Sequence, residues 1–385
     1  MRLTWSTLGG ARFRTTAFLL VAISAAGVTR GVATRAAQAA RTPADTSFAG
    51  MVARLSEAPG FFDSDNLISN ETSYLHAVTQ LRALGVRGGA YIGVGPDQNF
   101  SYIAAVRPSI AYMIDIRRDN MLMHLLFKAL FERSRNRYEY LLRWLGRPVP
   151  ADVAAWADQP IEVMLARIDS LAPDEATLQA ETGALLTAIS RYGVPLNAVD
   201  SSTIGRFHGE FARSGLEIRF TSSGRSPRYY YPTLRQLILE RDLDGTQANY
   251  LTSRERWDFL KDLHARNRIV PVVGNLAGSK ALPAIGNDIA ARGERVAALY
   301  VSNVEMYLWR DGGFTTFAKS VSALPRDNRS VIIRSVFGMG YAQRHPLSQA
   351  GHMSAQLVQP LDDFAERWRN GGWSSYWDVV TLGNR

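Results

Sequence analysis

Cysteine is absent from this sequence of 385 residues. Its absence excludes a disulfide framework, a thiolate nucleophile and a cysteine-based zinc site. The six histidines form no H-E-x-x-H pattern, so no zinc-protease helix is predicted. The chain has no internal repeat and no nucleic-acid-binding motif, and we therefore expect no nucleic-acid partner. With 46% hydrophobic and 21% charged residues, the composition is typical of a globular protein with a substantial core.

The first 39 residues lack acidic residues and lack an apolar run long enough to cross a bilayer. MRLTWSTLGGARFR carries three arginines, TTAFLLVAISAAGV is mostly apolar, and Ala-Gln-Ala follows at residues 37–39. This order is typical of an export signal. The apolar run of roughly fourteen residues falls short of the ~20 that a membrane span needs. Removing the five arginines of this segment lowers the formal net charge from +9 to +4.

We therefore predict a signal peptide over residues 1–39, cleaved near Ala39, and a periplasmic or extracellular protein without a stable membrane span. The alternatives are an uncleaved anchor and a true start at Met51, which would leave the protein in the cytoplasm. The remaining predicted parts are a flexible leader over 40–60, a main domain over 61–345 and a C-terminal tail over 346–385.

The stretch GGAYIGVGPDQNFSYIAAVRPSIAYMIDIRRDN, residues 88–120, predicts a strand–helix–strand unit. Residues 90–94 and 110–114 are apolar enough for buried strands, and the helix over 98–106 must end before Pro108. Two parallel strands joined by a helix are the basic unit of a parallel sheet.

Further strand and helix signals follow this unit. Helical patterning over about 119–192 predicts a helical insertion. LEIRFTSS and RYYYPT predict a hairpin, whereas RIVPVVGNLAG, VAALYVSNVEMYL and SVIIRSVFG predict buried strands. The alternation of strands and helices predicts an α/β fold with a doubly wound, mostly parallel sheet.

In such a sheet, ligands bind beyond the carboxyl ends of the strands. Gly93 and Gly95 would let a ligand approach the backbone, and Asp115 would accept hydrogen bonds from two ribose hydroxyls. The predicted cofactor-binding residues are Gly93, Gly95, Asp97, Gln98, Asn99 and Asp115. The predicted substrate-side residues are Asp65, Asn66, Asn70, Asn275, Asn303 and Glu305. No catalytic residue and no metal ligand is assigned.

The segment DSDNLISNE, residues 63–71, concentrates acids and amides ahead of the first strand. One interpretation is a polar lid that contacts substrate. The other is a pair of Asx-turns and a helix N-cap at Asn70, with the helix ending at Gly85. His208 beside Glu210 is a candidate general base, although a structural histidine is the simpler reading, and His76 and His124 are predicted to pack in helices.

The strand, Gly-x-Gly turn, helix, strand and acid resemble the cofactor half of class I S-adenosylmethionine-dependent methyltransferases. Gly93, Gly95 and Asp115 match the methyltransferase motifs, whereas Tyr91 and Asp97 replace an acid and a glycine. The segments FFDSDNLISNETSYLH, DIRRDNMLMHLLFKALF and PVVGNLAGSKAL also resemble a family of uncharacterised bacterial proteins. Those proteins are regarded as methyltransferase-like in fold, with no assigned activity.

These resemblances imply a methyltransferase-like Rossmann protein that binds a small polar, nucleoside-like ligand, with S-adenosylmethionine as the candidate cofactor. Export conflicts with that cofactor, because S-adenosylmethionine is a cytoplasmic metabolite. The first alternative is a non-catalytic exported ligand-binding protein. The second is a metal-assisted hydrolase that uses Asp63 and Asp65.

Overall fold

The sheet of the computed structural model, which describes residues 47–223, 225–337 and 345–381, has six strands. In chain order they are Ala90–Gly93 (β1), Ile110–Asp115 (β2), Ile269–Val273 (β3), Val296–Tyr300 (β4), Val331–Phe337 (β5) and Ser354–Pro360 (β6). Their spatial order is β3-β2-β1-β4-β5-β6. The first five are parallel, and β6 is antiparallel to β5. The architecture is a mixed α/β fold, consistent with a Rossmann-like arrangement.

The strands form where apolar, largely β-branched and aromatic residues follow one another. Every residue of β1, β3 and β4 is buried, as expected for parallel strands that are covered on both faces. The strand β1 pairs with β2 on one side and β4 on the other, with Gly93 beside both Met113 and Tyr300. The strand order therefore reverses at β1, which is where open parallel sheets form a crevice.

Fifteen α-helices pack around this sheet in the described residues. They are Phe48–Leu55 (α1), His76–Ala83 (α2), Gln98–Val106 (α3), Arg118–Arg133 (α4), Arg137–Trp144 (α5), Ile161–Asp169 (α6), Glu175–Ser190 (α7), Ala198–Ser214 (α8), Leu234–Leu239 (α9), Arg254–Ala265 (α10), Ala281–Ala291 (α11), Val304–Arg310 (α12), Phe314–Ser322 (α13), Leu361–Arg369 (α14) and Tyr376–Thr381 (α15). Single 3-10 turns lie at Val153–Trp156, Gly215–Glu217 and Tyr250–Thr252. None of the helices described is long and apolar enough to cross a membrane.

The first strand–helix–strand unit lies where the sequence predicts it. The helix α3 ends at Val106. Its C-cap Arg107 has a φ of 56°, in the left-handed region, and Pro108 follows. The preceding helix is shorter than predicted: residues 72–75 form turns and α2 begins only at His76. It ends before Gly85, whose φ of 62° matches the expected C-terminal cap.

The ends of the chain contribute more to the fold than the sequence predicts. Within the predicted leader, α1 buries Phe48, Met51, Val52 and Leu55 and contacts β3 and α11. The predicted C-terminal tail supplies β6, α14 and α15. The predicted signal peptide, residues 1–39, lies outside the described residues.

The region between β2 and β3 also differs from expectation. Its helices extend from residue 118 to residue 265, and the first of them, α4, packs directly on β2 and β3. The predicted hairpin is not formed by the described residues of 216–233, where Arg219 and Thr233 make one isolated bridge. Pro227 and Pro232 offer no backbone N–H for a ladder.

Candidate functional site

A cavity of about 750 Å³ opens at the carboxyl edge of the sheet. Its wall combines the residues that follow β1, β2, β3 and β4 with residues of the segment 61–71 and described residues of the segment 220–231. Of the predicted site residues, the cavity brings together Asn66, Asn70, Gly95, Gln98, Asp115, Asn275 and Asn303. Gly93, Asp97, Asn99, Asp65 and Glu305 are not among the residues that line it.

The turn after β1 is held rigidly at the cavity wall. Gly95 has a φ of 83°, a conformation that favours glycine. Its carbonyl oxygen accepts a hydrogen bond from Nε2 of His124 on α4 at 2.9 Å. Because burial lowers the pKa of His124 to about 4, the imidazole is neutral at pH 7. In this neutral form, the single ring proton lies on Nε2, which donates to the Gly95 carbonyl oxygen.

The Asn99 side chain also holds the turn after β1, and all of its polar atoms are used in doing so. Its Oδ1 accepts from the Tyr91 hydroxyl at 2.7 Å, and its Nδ2 donates to the carbonyl oxygens of Val94 and Pro96, each at 2.8 Å. A methyl group on Gly93 would lie 2.0 Å from Asn99 Oδ1. Gly93 is therefore required by packing inside the protein rather than by the approach of a ligand.

Asp97, the N-cap of α3, and Gln98, its first residue, have different environments. Asp97 is buried, and burial raises its pKa to about 7, while the Tyr250 hydroxyl donates to it at 3.3 Å. This contact directs Asp97 toward the protein interior. Gln98 lines the cavity and donates from Nε2 to the Tyr300 hydroxyl at 3.2 Å.

Asp115, at the end of β2, is clamped by Arg117. The guanidinium Nε donates to Asp115 Oδ1 at 3.0 Å and Nη2 donates to Oδ2 at 2.9 Å, and the backbone N–H of Arg117 also donates to Oδ1 at 2.9 Å. The Nη1 of Arg117 donates to the carbonyl oxygens of Ser64 and Asp65, at 2.8 and 2.6 Å. This arginine, which the sequence analysis did not select, joins the end of β2 to the segment 61–71.

The segment 61–71 forms one side of the cavity, as the lid interpretation expects, but its two aspartates point to different partners. Asp63 pairs with Arg225, and Asp65 pairs with Arg206 on α8. Asn66, with a φ of 49°, and Asn70 line the cavity. The two carboxylates do not converge on one point.

Glu71 also lines the cavity and, like Arg117, is not among the site residues predicted from the sequence. Only 1% of it is exposed, and burial raises the pKa of its carboxyl above the usual range. The Tyr300 hydroxyl donates to it at 2.8 Å, Ser302 donates to the same oxygen, and Gln356 Nε2 donates to the other at 3.2 Å. No arginine or lysine of the described residues pairs with it.

The signal for Glu71 was present in the sequence but was interpreted locally. A helix beginning at Asn70 would place Glu71 in its first turn, where an acid is expected for the helix dipole. Because α2 begins only at His76, five residues after Glu71, the carboxylate is free to turn toward β4 and β6.

The residues after β3 and β4 complete the wall. Asn275 accepts from the backbone N–H of Ala277 at 2.9 Å, which closes a local turn. Asn303 precedes α12 and makes no side-chain cap there. Glu305 is instead buried in an ion pair with Arg334, which also donates to Gln359 at 2.6 Å. Glu305 does not line the cavity. Its ion pair instead holds α12 against β5 and β6.

Aromatic and arginine side chains also line the cavity. Phe62 and Tyr307 pack edge to face with ring centroids 5.5 Å apart. Arg225 and Arg228 lie on the segment 220–231. Of the two, Arg228 contacts the Tyr230 hydroxyl and forms no ion pair within the described residues.

His208 is placed for structure rather than for acid–base chemistry. It is buried in α8, its Nδ1 lies 2.7 Å from Thr182 Oγ1, and its Nε2 lies 2.8 Å from the carbonyl oxygen of Arg143. Both ring nitrogens are therefore engaged between helices, away from the cavity lining.

A family model described as "Domain of unknown function (DUF7790)" matches residues 67–157 and 222–380, well over half of the chain. The match includes Glu71, Gly95, Asp115, Asn275 and Asn303 and leaves out 158–221, which contain α6, α7 and α8. No curated protein matches the chain.

Proposed function

Since the chain belongs to the family described as a domain of unknown function (DUF7790), we propose its function from the cavity itself. The protein binds a small polar, nucleoside-like molecule at the carboxyl edge of a methyltransferase-like Rossmann sheet. The observation that carries this proposal is the position of the cavity. It lies where the strand order reverses, and the residues after β1, β2, β3 and β4 all contribute to its wall. Its volume of about 750 Å³ lies within the range typical of small-molecule sites.

Asp115 sets a limit on the contacts that such a ligand makes. A carboxylate offers about four acceptor sites, and Arg117 occupies two on Oδ1 and one on Oδ2. One site on Oδ2 remains for a ligand hydroxyl. We therefore propose one hydrogen bond from a ribose-like group to Asp115, in place of the two expected from the sequence.

Glu71 favours a ligand that carries a hydrogen-bond donor or a positive charge. Its buried carboxylate receives only neutral donors, and a cation nearby would favour its ionised form. S-adenosylmethionine combines a nucleoside with a sulfonium and an ammonium group and is the first candidate ligand. When bound, it would supply an activated methyl group. A protein that holds donor and acceptor together then needs little acid–base chemistry of its own.

Metal-assisted hydrolysis by Asp63 and Asp65 is not proposed. Each carboxylate pairs with a separate arginine, so the two do not form a shared oxygen-ligand set. Ligand binding is common to the methyltransferase and to the non-catalytic exported binding protein, and binding is therefore the property to test first.

Isothermal titration calorimetry with S-adenosylmethionine, S-adenosylhomocysteine and adenosine tests the proposal. The informative variant is Asn303→Ala, because this side chain lines the cavity without capping α12. The matched control is Asn370→Ala, at an exposed position outside the cavity lining. We expect saturable binding that Asn303→Ala weakens about tenfold, as for one lost hydrogen bond of ~1.4 kcal/mol, and that the control leaves unchanged.

The charge of Glu71 is tested in the same titrations. Glu71→Gln should reduce the preference for S-adenosylmethionine over S-adenosylhomocysteine, whose sulfur is uncharged. If none of the three compounds binds, or if Asn303→Ala and Asn370→Ala bind them alike, the cavity does not take a nucleoside-like ligand.

A further inference from the structure

A second group of chemically reactive side chains lies outside the cavity. His76 is the first residue of α2, Glu240 directly follows α9, and His352 lies two residues before β6. One donor atom from each of these three residues lies within 4.8 Å of the others. The two imidazole rings meet edge to face, with centroids 4.5 Å apart. None of the three residues lines the cavity.

The donor atoms of this group have few other partners, and one of them lacks the partner that a buried polar group normally has. His352 Nδ1 is buried without a hydrogen bond. His76 is only 7% exposed, and its imidazole forms no hydrogen bond with a described residue. Glu240 accepts a hydrogen bond from the backbone N–H of Arg241 at 3.0 Å and forms no ion pair within the described part of the chain.

A neighbouring acid is already engaged. Asp242 pairs with Arg82 at 2.9 Å and accepts the backbone N–H groups of Asp244 and Thr246. It is not one of the three residues whose donor atoms meet.

We propose that His76, Glu240 and His352 bind one divalent transition-metal ion, with Zn²⁺ as the ion that the ligand set favours. Two imidazoles and one carboxylate are a common three-ligand set for zinc, and they leave a fourth position open. Imidazole ligands favour Zn²⁺ over Mg²⁺ or Ca²⁺, which prefer oxygen. Zinc–ligand bonds of about 2.0–2.2 Å place tetrahedral donors about 3.4 Å apart. Donor atoms that lie within 4.8 Å of one another would therefore move closer by up to about 1.4 Å.

A metal at this position would join three distant parts of the chain. The residues from Glu71 to His76 run beside the start of β6. Glu71 contacts Gln356 at 3.2 Å, Ser73 Oγ donates to the Ser354 carbonyl oxygen at 2.7 Å, and His76 faces His352. The ion would extend this row of contacts and tie it to the end of α9 through Glu240. Because it would bind the folded chain in preference to the unfolded one, it would also stabilise the fold.

The test is a titration of the full chain, prepared without a histidine tag and treated with a chelator, with ZnCl₂ alone. Calorimetry should give one ion per chain, and Co²⁺ in place of Zn²⁺ should give visible absorption bands of a low-coordinate site. Glu240→Gln and His352→Gln should each weaken Zn²⁺ binding by at least the roughly 10–100-fold that loss of an outer-shell partner costs. The control Glu366→Gln removes an exposed acid of α14 and should leave binding unchanged.

Both ligand variants are compared with the wild-type chain by circular dichroism in the absence of metal, so that loss of the fold is distinguished from loss of a ligand. Absence of saturable Zn²⁺ binding by the folded wild-type chain would overturn the proposal. Equal affinity in wild type, Glu240→Gln and His352→Gln would also overturn it. The proposed nucleoside-like ligand is not needed in any of these measurements, so the two proposals can fail separately.

Discussion

Asp115 and Arg117 illustrate, at the scale of single residues, how a predicted ligand group is used within the protein. Their side chains are only 11% and 7% exposed, and breaking a buried ion pair from one side costs about 3–5 kcal/mol. Arg117→Met should therefore strongly lower the free energy of unfolding in urea. In Asp115→Leu/Arg117→Met, the buried charge is removed together with its partner, and a large part of the loss should be recovered. Additive effects of the two substitutions would contradict a coupled pair.

His124 gives a pH-dependent prediction at the same scale. Its pKa is about 4 in the folded protein and about 6.5 in an unfolded chain. Between these values the unfolded chain binds the extra proton, so stability should fall as the pH drops from 7 toward 4. In His124→Gln, the loss of stability between pH 7 and pH 5 should be smaller than in wild type by about 1–2 kcal/mol. Urea unfolding at the two pH values measures this difference, and parallel losses in both proteins would refute the assignment.

At the scale of elements, the junction between β1 and α3 is fixed by side-chain packing. Gly93→Ala would place a methyl group 2.0 Å from Asn99 Oδ1 and 2.7 Å from Tyr91 Cε1, so we expect a loss of ~1–3 kcal/mol in unfolding free energy. Gly183→Ala is the matched control. No atom lies within 4 Å of the new methyl group there, and α7 should gain ~0.5–1 kcal/mol. Similar changes in unfolding free energy at both positions would mean that the Asn99 side chain moves easily to accommodate the methyl group.

The elements also show what local sequence determines. The βαβ unit of β1, α3 and β2 was predictable because apolar runs, a Gly-x-Gly turn and Pro108 are all local signals. The start of α2 at His76 was not, because Ser73 and Glu71 are held by contacts with Ser354 and Gln356. Those partners lie more than 280 residues away, and such contacts leave no local signal.

At the scale of the whole molecule, backbone protection should be distributed unevenly. The strands β1, β2 and β4 are buried and paired on both sides, whereas residues 225–231 belong to no ladder and include Tyr229, which is 91% exposed. We expect amide exchange, followed by mass spectrometry, to be slower by orders of magnitude in the three strands. Exchange at comparable rates would show that 225–231 are held as firmly as the sheet.

The same scale separates what could be predicted about the candidate site. The α/β pattern of the sequence predicted a site at the ends of β1, β2, β3 and β4. Seven of the predicted residues line the cavity. The direction of each side chain did not follow. Asp97 and Asn99 stand one residue on either side of Gln98, yet their hydrogen bonds with Tyr250 and Tyr91 keep them inside the protein. The partners that decide these directions are set by tertiary packing.

The contacts of Arg117 have a kinetic consequence. The same guanidinium holds Asp115, which a ligand would contact, and the carbonyl oxygens of Ser64 and Asp65, which lie in the segment 61–71. A ligand that binds Asp115 therefore affects the residue that anchors the segment 61–71. By thermodynamic linkage, the order of that segment in turn affects the affinity for the ligand. Weakening this anchor, as in Arg117→Met, should therefore shorten the residence time of ligands in the cavity, including ligands that do not contact Arg117.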